Sequence, residues 1–201
     1  MPPFRTRMSI GVLAGAGAVL SGCTTPGLPP TPAAATSASS GFDWYQAAPA
    51  PEGWKTLQLP DGTATLSYPP AAAPLPSDPG TVSAAITSAS GDILLYLNAT
   101  PQQGDESLTN WPAFRLNHLT GEHATMAAQI STGTGMAFTG GTGACLTDSY
   151  VTRIGSHRYR EIACFVSGAN ASSVLVAATP EDVWDQYLPQ LQQALEAYRV
   201  T

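Results

Sequence analysis

Ala144-Cys145-Leu146-Thr147-Asp148-Ser149-Tyr150-Val151-Thr152, then Arg153-Ile154-Gly155-Ser156, then His157-Arg158-Tyr159-Arg160-Glu161-Ile162-Ala163-Cys164-Phe165-Val166-Ser167, reads as two strands joined by a short loop. Both runs are rich in β-branched and aromatic residues, and Gly155-Ser156 supplies turn chemistry between them. Isoleucine is a poor residue for the positive φ of a two-residue primed turn. A four-residue loop, Arg153 to Ser156, is therefore expected, closed by Thr152 and His157 as a hydrogen-bonded pair. Counting outward from that loop sets Cys145 opposite Cys164, and alternation makes them a non-hydrogen-bonded pair, the closer kind. A disulfide between adjacent strands follows without further bending of the chain.

The same register sets Asp148 opposite Glu161, with Tyr150 opposite Tyr159 beside them. Like charges directly opposed destabilise a strand pair. Three resolutions are open: the carboxylates are solvated and splayed, with any of the nearby arginines (Arg153, Arg158, Arg160) able to bridge to one of them, one carboxyl has a raised pKa as in a catalytic pair, or the two share a cation.

Two more hairpins precede this one. Trp54 to Leu59 and Thr63 to Tyr68 flank Pro60-Asp61-Gly62, and Ala64, Leu66 and Tyr68 alternate with polar residues as in a half-buried strand. Thr81 to Ser88 and Asp92 to Ala99 flank Ala89-Ser90-Gly91. The run Ile93-Leu94-Leu95-Tyr96-Leu97 is continuously apolar and is expected inside the sheet. Pro69 to Pro79 reads as a loop. Asn110 is expected to cap a helix with Pro112 in its first turn, Gly121 at its end, and Trp111, Phe114 and His118 on one face. Met126 to Ile130 and Met136 to Phe138 read as short strands, and the glycines from Gly133 to Gly143 as a bulged, mobile connection. Ser173 to Ala178 is one more strand. Thr179 then reads as the N-cap of a helix with Pro180 at its first position and Glu181 and Asp182 against its positive end. Its apolar stripe is Val183, Trp184, Tyr187, Leu188, Leu191, Leu195 and Tyr198, and Pro189 predicts a kink or a restart near Leu188. The sum is an α+β domain: an antiparallel sheet flanked by helices, with the C-terminal helix packed on the sheet.

The first 41 residues are of another kind. Arg5 and Arg7 precede an uncharged apolar run from Met8 to Leu20, which is a secretory pattern too short to span a bilayer. It ends in Leu20-Ser21-Gly22-Cys23, a lipobox. Residues 1–22 are read as a lipoprotein signal peptide, and Cys23 as the residue that takes a thioether-linked diacylglycerol. Thr24 to Gly41 is proline, alanine, threonine and serine with no charge, a composition expected to form a disordered tether. A single globular domain is expected over 42–201.

Six Lys and Arg against 14 Asp and Glu follow Cys23, a formal balance of −8. That sign disfavours nucleic acid as a partner and leaves no polybasic segment for anionic lipid. With Cys23 assigned to lipid, Cys145 and Cys164 remain as an even pair on the oxidising side of the membrane. Two thiols do not make a metal site, and the three histidines lack ligand spacing, so no metal and no cofactor is expected. The glycine-rich stretch lacks the GK[ST] ending of a phosphate loop and the GxGxxG of a dinucleotide fold. No G-x-S-x-G occurs. His118 reads as a core-edge histidine, and Trp184 and Tyr187 as core.

Gly53-Trp54 and Leu66-Ser67-Tyr68-Pro69 in the first hairpin, a helix between strands, a run of antiparallel strands and a closing helix together resemble the PsbP-like fold. In particular the chain resembles the LpqN/LpqT group of actinobacterial lipoproteins, which share a lipobox and a Pro/Ala/Thr tether. The resemblance spans about Trp54 to Tyr198 and implies a binding or assembly module with no common active site. The expected function is accordingly a non-enzymatic interaction module, anchored to the outer face of the cell membrane by its acyl chains and facing an envelope or external protein partner. The alternatives are a small-molecule or lipid carrier, with a closed pocket beneath the C-terminal helix, and an envelope hydrolase using Asp148 and Glu161.

Overall fold

Ten strands and two α-helices alternate along the described part of the computed structural model, residues 41–201; the signal peptide, Cys23 and most of the tether lie outside it. In chain order these are β1 (Lys55–Gln58), β2 (Ala64–Tyr68), β3 (Ala73–Leu75), β4 (Val82–Thr87), β5 (Ile93–Pro101), α1 (Trp111–Gly121), β6 (Thr125–Phe138), β7 (Gly141–Val151), β8 (Arg158–Gly168), β9 (Ser172–Pro180), α2 (Trp184–Glu196) and β10 (Arg199–Val200). Seven strands form one sheet in the order β3-β4-β5-β9-β8-β7-β6, and β1, β2 and β10 form a second sheet of three. Every named pairing is antiparallel. The interior place expected for the apolar run of β5 is observed, between β4 and β9.

Alternation along β5, β7, β8 and β9 feeds two cores on opposite faces of the large sheet. One face carries Leu95, Leu97, Cys145, Ile162, Cys164, Leu175 and Ala177, which pack with Leu191, Leu195 and Tyr198 and with Leu66 of the small sheet. The other carries Ala144, Leu146, Ala163, Phe165, Val174 and Val176, covered by Trp111 with Phe114 and Leu116 packed against them. The sheet is thus sandwiched between α2 with the three-stranded sheet and α1.

Local chemistry departs from expectation at five places. The stretch read as two short strands and a glycine connection is one long strand, β6, which follows β7 through three register shifts. Period-2 alternation is invisible there because each shift resets it. Gly140, at φ +86°, makes the turn into β7 with its α-carbon against the Val200 carbonyl, which lets the chain end return alongside Thr139. The proline-rich loop contains β3, an edge strand, where proline is tolerated. Asn110 precedes α1 but does not cap it; its Oδ1 accepts from the Ser107 amide and its amide donates to the Asp105 carbonyl, 2.7 and 2.9 Å. Thr179 remains in β9, its hydroxyl donating to Leu94 O at 2.6 Å, and a 3₁₀ turn, Glu181–Val183, intervenes before α2. Finally, α2 runs unbroken through Pro189 from Trp184 to Glu196. Pro189 is the sixth of its 13 residues and forgoes the bond to Asp185, while Leu191, Ala194 and Leu195, all buried, hold the following turns on the sheet, so the helix does not restart.

Candidate functional site

The β7–β8 hairpin has the register counted from its loop: Cys145 faces Cys164, Asp148 faces Glu161, and Tyr150 faces Tyr159. The Thr152 amide donates to His157 O at 2.9 Å and closes the loop. Cys145 and Cys164 are disulfide-bonded, with Cα atoms 4.1 Å apart, and both are fully buried on the α2 face.

Asp148 and Glu161 lie on the opposite face, beneath α1, and neither has any solvent exposure. The cation that meets them comes from α1. Arg115 Nε and Nη2 donate to Glu161 Oε1 and Oε2 at 2.6 and 2.9 Å, a bidentate pair. Arg153, Arg158 and Arg160 are not the bridge: Arg158 pairs with Glu181 at 3.5 Å, and Arg160 lies over the Trp184 ring at 5.1 Å. Arg115 was recoverable from helical spacing, since it sits four residues after Trp111 and three before His118 and hence on the covered face. The hairpin's own sequence carries no sign of it, because Arg115 reaches Glu161 from another layer, 46 positions away.

One guanidinium serves two carboxyl groups. Burial alone would lower the pKa of Arg115, but the Glu161 carboxylate outweighs it and the net direction is up. Both carboxyl oxygens of Asp148 lack a donor. Burial first, and the Glu161 charge second, push Asp148 up to about 8, with Arg115 pulling the other way. Asp148 therefore keeps its proton at neutral pH, and with that proton one of its oxygens becomes a donor towards Glu161. Of the three resolutions of the opposed acids, solvation is overturned, since both are fully buried, and a raised carboxyl operates together with an arginine bridge from α1. Tyr150 and Tyr159 stack with centroids 6.0 Å apart, and burial raises the pKa of both phenols.

Glu161, Arg115 and Tyr150 form the inner end of an open cleft of about 810 Å³ between α1 and the β4–β5 side of the sheet. Asp148 is sealed beneath and does not line it. One wall is a polar network on β4 and β5: Asn98 Nδ2 donates to Ser83 Oγ at 2.9 Å, and Ser83 Oγ and Tyr96 OH are 3.1 Å apart. The facing wall is the ring column of α1, Trp111, Phe114 and His118, with successive centroids 6.1 and 6.4 Å apart. Trp111 is fixed by its indole N–H, which donates to Ala163 O at 2.9 Å. His118 is half exposed, 3.5 Å from Glu122. Glu106, also lining the cleft, is buried and accepts from the Gln103 and Gly104 amides at 2.7 and 2.8 Å. Besides Arg115, Glu161 and Glu106, the lining offers a ligand hydroxyls, the amides of Asn98 and Gln103, aromatic rings, the His118 imidazole and the carboxylates of Asp78 and Glu122. Among the described residues no group of three or more His, Cys, Asp or Glu could hold a metal. Beneath α2, where a carrier would need its pocket, Leu191, Leu195 and Tyr198 fill the space.

The two-layered arrangement of helices about an antiparallel sheet is the PsbP-like fold. No protein-family model and no curated protein matches the sequence. Solved structures do: cyanobacterial PsbP (CyanoP) from Synechocystis is 13% identical, with 74% of this chain and 92% of that chain covered and a TM-score of 0.53. LpqN of Mycobacterium tuberculosis, described as involved in cell envelope biogenesis, is 15% identical over 76% of this chain and 81% of that one, with a TM-score of 0.35. Among the described residues no helix is long and apolar enough to cross a membrane.

Proposed function

We propose that the chain is a non-enzymatic binding module of the cell envelope, tethered by an acylated Cys23, whose ligand or partner enters the cleft between α1 and β4–β5. The observation that carries this reading is that the carboxylate at the inner end of the cleft, Glu161, is already clasped by Arg115 on both oxygens. A hydrolase needs a carboxylate free to take up a proton or attack a substrate. Here one acid is engaged and the other, Asp148, lies out of the cleft. The acidic lining, with Asp78, Glu106, Glu122 and Glu161 against Arg115 alone, favours a neutral or cationic ligand group over an anionic one. The lipobox and the absence of charge between Cys23 and Gly41 support the anchor and the tether.

The test is native mass spectrometry and chemical crosslinking of the acylated chain purified from its own membrane. Wild type is compared with Thr81→Trp, which narrows the cleft from its rim without touching Arg115 or Glu161. An adduct or crosslinked partner present in the wild type and lost in the variant supports the reading. An adduct or crosslink pattern indifferent to Thr81→Trp removes the cleft from it.

A further inference from the structure

Among the described residues, the large apolar side chains left exposed are Met126, Ile130 and Ile154, at 66, 47 and 85%. All three fall at one corner of the large sheet. Met126 and Ile130 are on β6, the sheet's free edge, and Thr125, Val151 and Arg158 form one row across β6, β7 and β8 at its end. Ile154 tips the loop that joins β7 to β8. The loop is built: Thr152 Oγ1 donates to Ile154 O at 2.8 Å, and the His157 amide donates to Thr152 Oγ1 at 3.1 Å. Internal bonds therefore order the loop backbone, and Ile154 is exposed at its tip.

Charge marks the same corner. From His123 to Thr147, and again from Ser149 to Arg160, the sequence contains no acidic residue, in a chain with 14 of them. Arg153 and Arg158 are exposed there, flanked by His157. Arg158 touches Met126 Sδ at 3.9 Å and shares its charge with Glu181. Asp92, Glu181 and Asp182 share a cleft with Ser156 to Tyr159, so the basic character is confined to the loop tip, where exposed Arg153 stands beside Ile154. Apolar tips with an arginine among them suit a membrane interface with anionic headgroups.

The chain's path supplies the third observation. Gly41, where the described residues begin, lies so close to Ser131 of β6 that a Cβ on it would collide with the serine side chain. Phe42 continues along the strand against Gly133. A strand rises about 3.3 Å per residue, so Met126 is no more than about 17 Å along β6 from that point. Seventeen residues, 24–40, separate Cys23 from this point of entry. The chain from Cys23 therefore enters the domain at the β6 edge of the large sheet, on the other side from β3.

We infer that Met126, Ile130 and Ile154, with Arg153 and Arg158, form a docking surface for the lipid bilayer itself, which orients the tethered domain with the β3–β4 edge and the cleft wall beside it directed away from the membrane. The inference rests on the acyl-anchor reading and adds a second membrane contact to it. The two-signal logic is general, since one lipid attachment plus a weak protein contact holds an orientation that a tether alone leaves free.

The experiment uses the full mature chain with its acyl group, placed in nanodiscs of three parts phosphatidylcholine to one part phosphatidylglycerol that carry a nitroxide-headgroup lipid. Amide signals of residues 126–130 and 153–157 should lose intensity several-fold more than those of Ala73–Leu75, and less so in phosphatidylcholine alone. Ile130→Asp with Ile154→Asp, both at exposed positions, should abolish the contrast while the chain stays on the disc. Uniform attenuation, strongest attenuation at β3, or a contrast that survives the double substitution would overturn the docking surface. A mature chain whose Cys23 carries no acyl mass would instead overturn the anchor and the argument from the tether with it, a separate failure that mass spectrometry identifies.

Discussion

Replacing Asp148 by asparagine should stabilise the domain, and by more the higher the pH. In the folded chain the Asp148 carboxyl is pushed from 3.8 to about 8 by burial and by Glu161. In the unfolded chain it returns to the ordinary value. Below pH 3.8 both states hold the proton and Asp148 costs nothing through ionisation. Between 3.8 and 8 only the unfolded state releases it, so stability falls as pH rises, by about 1.4 kcal/mol per unit. Across the window the loss reaches on the order of 5 kcal/mol, and above 8 it levels off. Asparagine has the same shape and cannot ionise, and its amide can donate to Glu161 as the acid proton does. Urea unfolding of the mature chain carrying Cys23→Ser, with and without Asp148→Asn, should give nearly equal stabilities at pH 4. The variant should gain several kcal/mol by pH 8. Other titrating groups are common to both proteins and cancel in the difference. A difference that does not change with pH, or that changes in favour of the wild type, would refute the assignment of the proton to Asp148.

Arg115→Met should be the most damaging single substitution in the cluster, because it leaves Glu161 buried without its cation; about 3–5 kcal/mol is expected, read from urea midpoints. Gly140→Ala should cost about 1–2 kcal/mol for the left-handed backbone and a further 1–3 for collision with the Val200 carbonyl. Gly135→Ala, at φ +68° with open space about it, should show only the first of these, so their thermal midpoints should separate clearly. Joint replacement of Cys145 and Cys164 by alanine, a sequence separation of 19, should cost about 3 kcal/mol from chain entropy alone, measured against the oxidised wild type.

Much of this architecture can be read from local sequence wherever one rule dominates. The β7–β8 register follows from loop chemistry and a count of residues, and with it the facing of Cys145 by Cys164 and of Asp148 by Glu161. The stripe of α2 is legible because Trp184, Tyr187, Leu191 and Leu195 repeat at helical spacing. Legibility stops where a residue's role is settled by a partner distant in sequence. Thr179 has every mark of an N-cap, yet Leu94, 85 positions earlier, takes its hydroxyl. The β6 pattern is scrambled by its register shifts, and β10 is too short to be seen without β2 beside it. The site was half legible. The acids were found from their conflict, and Arg115, 46 residues from Glu161, was not.

That long-range pair also explains why the conflict is tolerated. Of the residues in α1 only Trp111 and Leu119 are buried, whereas α2 buries Trp184, Tyr187, Leu191, Ala194 and Leu195. Apolar area alone therefore holds α1 far more weakly than α2. Two polar attachments make up the difference: the Trp111 indole on Ala163 O and the Arg115 guanidinium on Glu161. Bidentate geometry fixes the rotation of the helix as well as its distance from the sheet, and the position of α1 defines one wall of the cleft. Asp148 then sits in the desolvated space this attachment creates and keeps its proton because burial and the Glu161 charge outweigh the opposing pull of Arg115. It follows that α1 is the part of the fold most easily detached. Conditions that ionise Asp148 should loosen α1 and the cleft wall while α2 and the disulfide-linked core hold, so amide exchange in Trp111–Gly121 should accelerate above pH 8 ahead of exchange in β8 and β9. Synchronous exchange in all three elements would mean that α1 belongs to the same cooperative unit as the core, and that the polar attachment adds nothing separable to its placement.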